Sequence, residues 1–374
     1  MAIYAFPDFE SGKVKRIYAS ARYPSKQSGN VFFDSDLKIR IYDDVPKETK
    51  GFFACLAFKA SHVFAARDVL GGKPLYYRNL CFSSFKSYVG DAIEVLPGEV
   101  LKFDYEGNLI ERKKFEFEDV FKVENIQFDD ALEKIERSLL KIKIRSSCIA
   151  FSGGLDSSLL AALYDLPLIA VTAKKDDEEK IKEAARMLGK DLEIWRVSKD
   201  DVFWATEKAL RVVEMSDFLQ ISIAVPVFLT MYKAKLLGYS SILFGSGADE
   251  LFGGYKKYES LKDDELEKAL INDVKRIGEK NLVRDSKISY ENEIKLITPY
   301  LDWDVIEVAV NMPANVKVRK VDGKVVRKFA LRKLAENYLP KELVWREKKA
   351  IQYSTGIAKL VRECFSQIGK VAGF

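Results

Sequence analysis

Histidine is nearly absent from this 374-residue chain: His62 is the only one. It sits in the apolar run His62-Val63-Phe64-Ala65-Ala66, where a strand residue is expected rather than a catalyst. Cysteine is scarce too. Cys55, Cys81, Cys148 and Cys364 are scattered and form no CxxC pair, which argues against a disulfide framework and against a cysteine-ligated zinc or iron–sulfur site. No stretch of about 18 apolar residues occurs, so no membrane span is expected. The opening residues MAIYAFPDFESGK lack a basic stretch followed by an apolar one, so no signal peptide is read and a cytoplasmic enzyme is expected. Strong charge of one sign is also missing. The 61 basic and 56 acidic residues leave a net +5, and they interleave, as in KKDDEEKIKEAAR at 174–186. That pattern reads as a solvated helix face, and a nucleic-acid partner is not expected.

What is present is enough apolar residue, 48%, to fill two cores at this length. Residues 1–115 carry short apolar and aromatic runs (GFFACLAF, SHVFAARD, LCFSSF, EVLKFDYEGNLIE) punctuated by Gly, Pro and Asn. They read as a small β-rich, sandwich-like domain. Residues 116–374 follow a different rhythm. After a helix near 129–141, strand-like runs at about 147–151, 168–173, 192–198 and 241–245 alternate with amphipathic segments such as 202–213. This alternation predicts an α/β doubly wound parallel sheet over about 129–258, with ligands at the carboxyl ends of its strands. A helical part is expected over 259–374.

The strongest local signal is SGGLDSS at 152–158, between the apolar runs Cys148–Phe151 and LLAALY. Gly153 and Gly154 let the backbone approach a phosphate, and the following helix offers free N–H groups and the positive end of its dipole. Ser152, Ser157 and Ser158 add hydroxyls, and Asp156 is a Mg²⁺ ligand candidate. No Gly-Lys-Ser/Thr follows, so this is not a Walker A loop. A second block, FGSGADELFGGY at 244–255, also follows an apolar run (Ser241–Phe244) and brings Asp249 to the same sheet edge.

The first run resembles the pyrophosphate-binding loop of PP-loop ATP pyrophosphatases. The second resembles the SGEGxDELFGGY block of the asparagine synthetase and β-lactam synthetase family. TPYLDWDVIEVAVNMP at 298–313 is similar to the family's VPFLDxxxVEFAxxxP, and VRKFALRKLAENYLPKELVWREKKAIQ at 326–352 to its KxxLRxAxxxxLPxxxxxRxKxxF. ARDVLGGKPLYY at 66–77 and VLPGEVLKF at 95–103 resemble segments of the family's class II glutamine amidotransferase domain. The resemblance implies ATP and Mg²⁺ as cofactors. It implies Asp156 and Asp249 on Mg²⁺-pyrophosphate, Lys348 as the lysine that offsets charge in the transition state, and Ala150, Val171 and Gly245 along the adenosine. It also implies an ATP-dependent carbon–nitrogen ligase that adenylates a small-molecule carboxylate, aspartate or a related acid, releases pyrophosphate and forms an amide with ammonia or another amine. A homodimer or a separate ammonia-supplying subunit fits equally. Two other readings stay open: a tRNA-modifying PP-loop enzyme and a non-catalytic nucleotide-binding subunit.

The chain also departs from the family. Ala2 stands where the family's glutaminase has its nucleophilic cysteine, so glutamine hydrolysis is not expected. Ser246 replaces the glutamate of GEGxD, and Lys295 and Ile297 replace the charged pair of ExRxPFLD. The changes fall on the acceptor side while the ATP-handling positions are kept.

Overall fold

The computed structural model describes residues 2–372 except 11–12, 36–40, 42, 123, 125, 143, 145 and 347–355. Two compact units result, the first Met1–Lys122 with Lys275–Lys295, the second Val123–Val274 with Leu296–Phe374.

The first unit is a β-sandwich, as its alternating apolar runs suggest. One sheet orders the strands Lys13–Ala21, Ile3–Glu10, Cys81–Ser83, Tyr76–Arg78 and Ile93–Glu94. The other runs Leu109–Lys114, Glu99–Phe103, Val63–Arg67, Ala54–Phe58, Val31–Asp34 and Lys26–Ser28. Alternation decides the packing. Ala54, Leu56, Val63 and Ala65 join Ile3, Ala5 and Phe82 in one core, while Cys55, Ala57, Phe64 and Ala66 join Val45 and Phe53 in another. The second sheet is therefore covered on both faces.

Residues 275–295, read from sequence as part of the C-terminal helical stretch, belong to this first unit. They form the helix Val283–Glu291, in which Val283 to Tyr290 are all buried. Ser286 donates to the carbonyl of Gly72 at 3.1 Å, the Tyr290 hydroxyl donates to Asp34, and the Lys287 ammonium lies 5.0 Å above the Tyr76 ring.

The second unit holds a five-stranded sheet in the order Leu192–Arg196, Leu168–Thr172, Ser147–Ala150, Ser241–Leu243, Lys295–Ile297. The first four strands are mutually parallel. The chain steps outward from the strand at 147–150 to those at 168–172 and 192–196, then returns to lay 241–243 on the opposite side. The strand order thus reverses between 147–150 and 241–243, and the loops leaving these two strands face one crevice. The connecting segments are helices, among them Leu155–Leu163, Lys175–Met187, Lys199–Val213 and Phe218–Leu236. No single helix among the described residues is long and apolar enough to cross a membrane.

Beyond the sheet, the expected helices Trp303–Asn311, Phe329–Ala335 and Ile357–Ala372 appear. The sequence reading did not foresee a β-hairpin between them, Arg319–Val321 with Lys324–Val326. Its turn residues Asp322 and Gly323 both have positive φ (47° and 78°), the two-residue Asp-Gly turn that matches strand twist.

Candidate active site

The loop 152–158 leaves its strand into the helix Leu155–Leu163. Gly153 has φ +68°, and a Cβ there would crowd that of Ala184 at 3.3 Å, so the bend takes glycine most readily. The serines organise the loop. The Ser157 hydroxyl accepts from the Ser152 N–H at 3.2 Å, lies 3.2 Å from the Ser152 hydroxyl, and donates to the Gly154 carbonyl at 3.2 Å. The Gly154 N–H reaches the Ser152 hydroxyl at 3.4 Å. Ser158 differs: it is wholly buried and its hydroxyl has no hydrogen-bond partner among the described residues. It belongs to the packed side of the helix rather than to the mouth of the loop.

The second loop rises from Ser241–Leu243 through Gly245, Ser246 and Gly247 into the short helix Ala248–Phe252. A Cβ on Gly245 would stand 3.0 Å from the Cβ of Asp156, so the two loops touch. The Tyr300 hydroxyl donates to the Asp156 carbonyl at 2.9 Å and ties the TPYLD segment to the first loop. Ala150 lies at the end of its strand beside Ile169, with Val171 two residues further along the neighbouring strand. The residues expected along the adenosine therefore flank the same crevice.

Asp156 and Asp249 meet on one cation, the ammonium of Lys328. It lies 2.6 Å from each Asp156 oxygen and 2.7 Å from Asp249 Oδ1. The Lys328 side chain is 3% exposed, while those of Asp156 and Asp249 are 22% and 24% exposed. Burial alone would lower the ammonium's pKa, but the two carboxylates outweigh it and hold it raised. Lys328 starts the helix Phe329–Ala335 with left-handed backbone, φ 56°. Gly254 makes room for it, because a Cβ there would overlap the Asp249 carboxylate and the Lys328 Cε. Next to Asp249, Glu250 is buried and accepts from the Tyr255 hydroxyl at 2.5 Å. Burial and then the Asp249 charge raise its pKa.

Lys328 was not singled out from sequence, although it is the first lysine of the quoted KxxLR pattern. A lysine following Lys324-Val325-Val326-Arg327 gives no sign that its ammonium is buried. Lys348, the candidate transition-state lysine, lies outside the described residues. The described flank leading to it is held from the site side, since Arg332 donates to the carbonyls of Val344 and, at 3.4 Å, Arg346.

The two carboxylates suit Mg²⁺, which takes one or two protein carboxylates and completes its shell with phosphate oxygens and water. A cation, the Lys328 ammonium, already rests between the carboxylates.

Comparison with known proteins identifies the family. The Asparagine synthase family matches residues 144–263 and 258–370, more than half of the chain. A Methanocaldococcus jannaschii protein, provisionally named glutamine-hydrolyzing asparagine synthetase 1, is 26% identical over 94% of this chain and 78% of its own length. The glutamine-hydrolyzing asparagine synthetase of Sandersonia aurantiaca is 26% identical over 82% of this chain and 64% of its own length. The root asparagine synthetase of Pisum sativum is 29% identical over 56% of this chain and 39% of its own length. The chain thus spans less than two thirds of the latter two. Among solved structures, an NMN synthetase from Francisella tularensis overlaps 50% of the chain with a TM-score of 0.25 and 14% identity, too slight to argue from. This chain belongs to the asparagine synthase family.

Proposed function

We propose that the chain is an ATP-dependent carbon–nitrogen ligase that activates a small carboxylate as its acyl-adenylate, releases pyrophosphate and passes the acyl group to ammonia or another amine. The observation that carries this reading is the meeting of Asp156 and Asp249, from two loops at the sheet's switch point, on a single cation. Bound Mg²⁺ would neutralise phosphate charge there. The chain's own residues do the rest. Gly153, Gly154 and the helix behind them present N–H groups to phosphate oxygens, Ser152 and Ser157 add hydroxyls, and Lys348 offsets charge as the α–β bond breaks. Ala150, Val171 and Gly245 flank the crevice where an adenosine would lie.

The acceptor is less conventional. Ser246 is a poor base near neutral pH, and Lys295 and Ile297 alter the same side of the family pattern, so aspartate is not the favoured substrate. Ammonia comes from solution, since Ala2 supplies no glutaminase nucleophile. The test is pyrophosphate release measured over panels of carboxylates and amines. We expect release with a carboxylate other than aspartate and weak asparagine formation from aspartate, ATP and ammonia. Rapid asparagine synthesis would make Ser246 a tolerated variant in an ammonia-dependent asparagine synthetase. Absence of ATP–pyrophosphate exchange with every carboxylate would point instead to a nucleotide-binding subunit without catalysis.

A further inference from the structure

We propose that Lys328 makes the metal site conditional on the phosphate chain: free Mg²⁺ is refused, and the ion binds only together with pyrophosphate or ATP, whose oxygens take over the ammonium. The proposal rests on the nucleotide reading above. The ammonium occupies the space between the two carboxylates that a metal would need, through three contacts of 2.6 to 2.7 Å. Charge-assisted bonds of this length are among the stronger ones a protein makes. A dication arriving alone must either break them or settle beside a buried positive charge. Like charges at such separations repel strongly where water is scarce. A diphosphate removes the conflict, since it brings oxygens for the metal and for the ammonium at once.

The backbone around Lys328 is fixed, so the exchange falls to its side chain. Arg327 donates to the Gly254 carbonyl at 2.7 Å and pairs with Glu259 at 2.9 Å. Arg332, one turn on, donates to the Arg327 carbonyl at 3.0 Å and to the Val344 carbonyl. Lys328 itself holds a left-handed conformation that a lysine seldom adopts, which persists only where the surroundings dictate it. A lysine held this firmly, with its ammonium on both candidate metal ligands, is placed to sense whether phosphate is present.

The experiment is calorimetry on the full chain with Mg²⁺ alone, with pyrophosphate in chelator, and with both. Wild type should show no Mg²⁺ binding at millimolar concentration without phosphate, and pyrophosphate should raise its Mg²⁺ affinity at least about tenfold. Lys328→Met should bind Mg²⁺ alone at least about tenfold more tightly than wild type and lose the coupling, while Lys328→Arg should still refuse the free ion. Thermal unfolding gives a readout independent of turnover. In chelator Lys328→Met should melt below wild type, and added Mg²⁺ should raise its midpoint while leaving that of wild type unchanged. Wild type binding Mg²⁺ alone with an affinity that pyrophosphate does not alter overturns the proposal, and this arm needs no variant. If wild type binds neither Mg²⁺-pyrophosphate nor Mg²⁺-ATP, the nucleotide reading itself fails. If it binds them without coupling, only the role given to Lys328 fails.

Discussion

Both units bury charged side chains, but they satisfy them differently. In the first, Arg67 is 1% exposed and spends its guanidinium on the carbonyls of Val95 (2.5 Å) and Gly71 (2.7 Å) and on Glu94 (2.7 Å). Its neighbour Asp68 accepts from the N–H groups of Phe53 (2.9 Å) and Leu70 (3.0 Å). Burial raises the Asp68 carboxyl to about 6, with the Phe53 N–H pulling the other way. These partners are mostly main chain and cannot leave without unfolding the domain. In the second unit Asp156 and Asp249 share one side-chain cation and stay about a quarter exposed. Main-chain partners mark architecture, and an exchangeable side-chain partner is what a site needs. In ARDVLGGKPLYY the arginine and aspartate therefore hold loops together.

The largest effects should come from the exchangeable cluster. Asp156→Asn and Asp249→Asn should each lower pyrophosphate release by roughly 10²–10³, the scale of losing one transition-state interaction. Lys348→Ala should act on the same scale while leaving ATP affinity nearly intact, because its charge is needed mainly as the α–β bond breaks. Gly254→Ala should match the aspartate variants without touching any polar group, since the added methyl overlaps both Asp249 and Lys328. Single-turnover pyrophosphate assays check all four. Normal rates in the two aspartate variants would break the comparison, leaving the second unit as structural as the first.

How far the sequence was legible follows the same divide. The strands at 147–150, 168–172 and 241–243 showed as apolar runs because a parallel strand covered on both faces admits little else, whereas the edge strand at 192–196 keeps Glu193 and Arg196 exposed. The two glycine loops showed because their positive φ angles and close backbone approaches take glycine most readily. The helix at 283–291 falls in the stretch expected to be helical, but its place in the first unit did not show, since Arg284, Asp285, Lys287 and Ser289 look solvated and are in fact buried. Arg284 pairs with Asp285 beside it, but Ser286 on Gly72 and Lys287 over Tyr76 reach some 200 residues back, and no local period records that. Lys328 was hidden for the same reason: both carboxylates that bury it are distant in sequence.

A smaller effect sharpens the comparison inside the second unit. Lys317 is 4% exposed, and among the described residues only the charge of Glu267 offsets its burial, which pulls the ammonium down to about 8. Its unfolded value lies near 10.5. Between these values the folded chain holds fewer protons than the unfolded one, so this group's contribution to stability rises with pH from about 8 to 10.5. Below 8 both states are charged and the full penalty stands. Lys317→Met should therefore stabilise the protein at pH 7 by up to about 3 kcal/mol, and the gain should fade toward pH 10.5. Urea unfolding at the two pH values measures it. A destabilised variant would place Lys317 with Lys328 as a lysine whose charge the fold uses.

The smallest expected effect is none at all. If the first unit is retained for architecture, restoring the missing nucleophile should not restore chemistry. Ala2 is 1% exposed, its carbonyl accepts from the Arg22 N–H at 2.8 Å, and it leads into a strand whose Ile3 and Ala5 lie in the sandwich core. A thiol at this position would be buried. Burial holds thiols protonated, as it does for Cys55, raised to about 12, and Cys148, likewise raised to about 12. A protonated thiol with no access to solvent cannot attack glutamine. Ala2→Cys should thus produce no glutamate from glutamine above background and leave ammonia-dependent pyrophosphate release unchanged. Glutamate formation that a thiol reagent abolishes would break the comparison from the other side, showing that the first unit kept a glutamine pocket and lost only its sulfur.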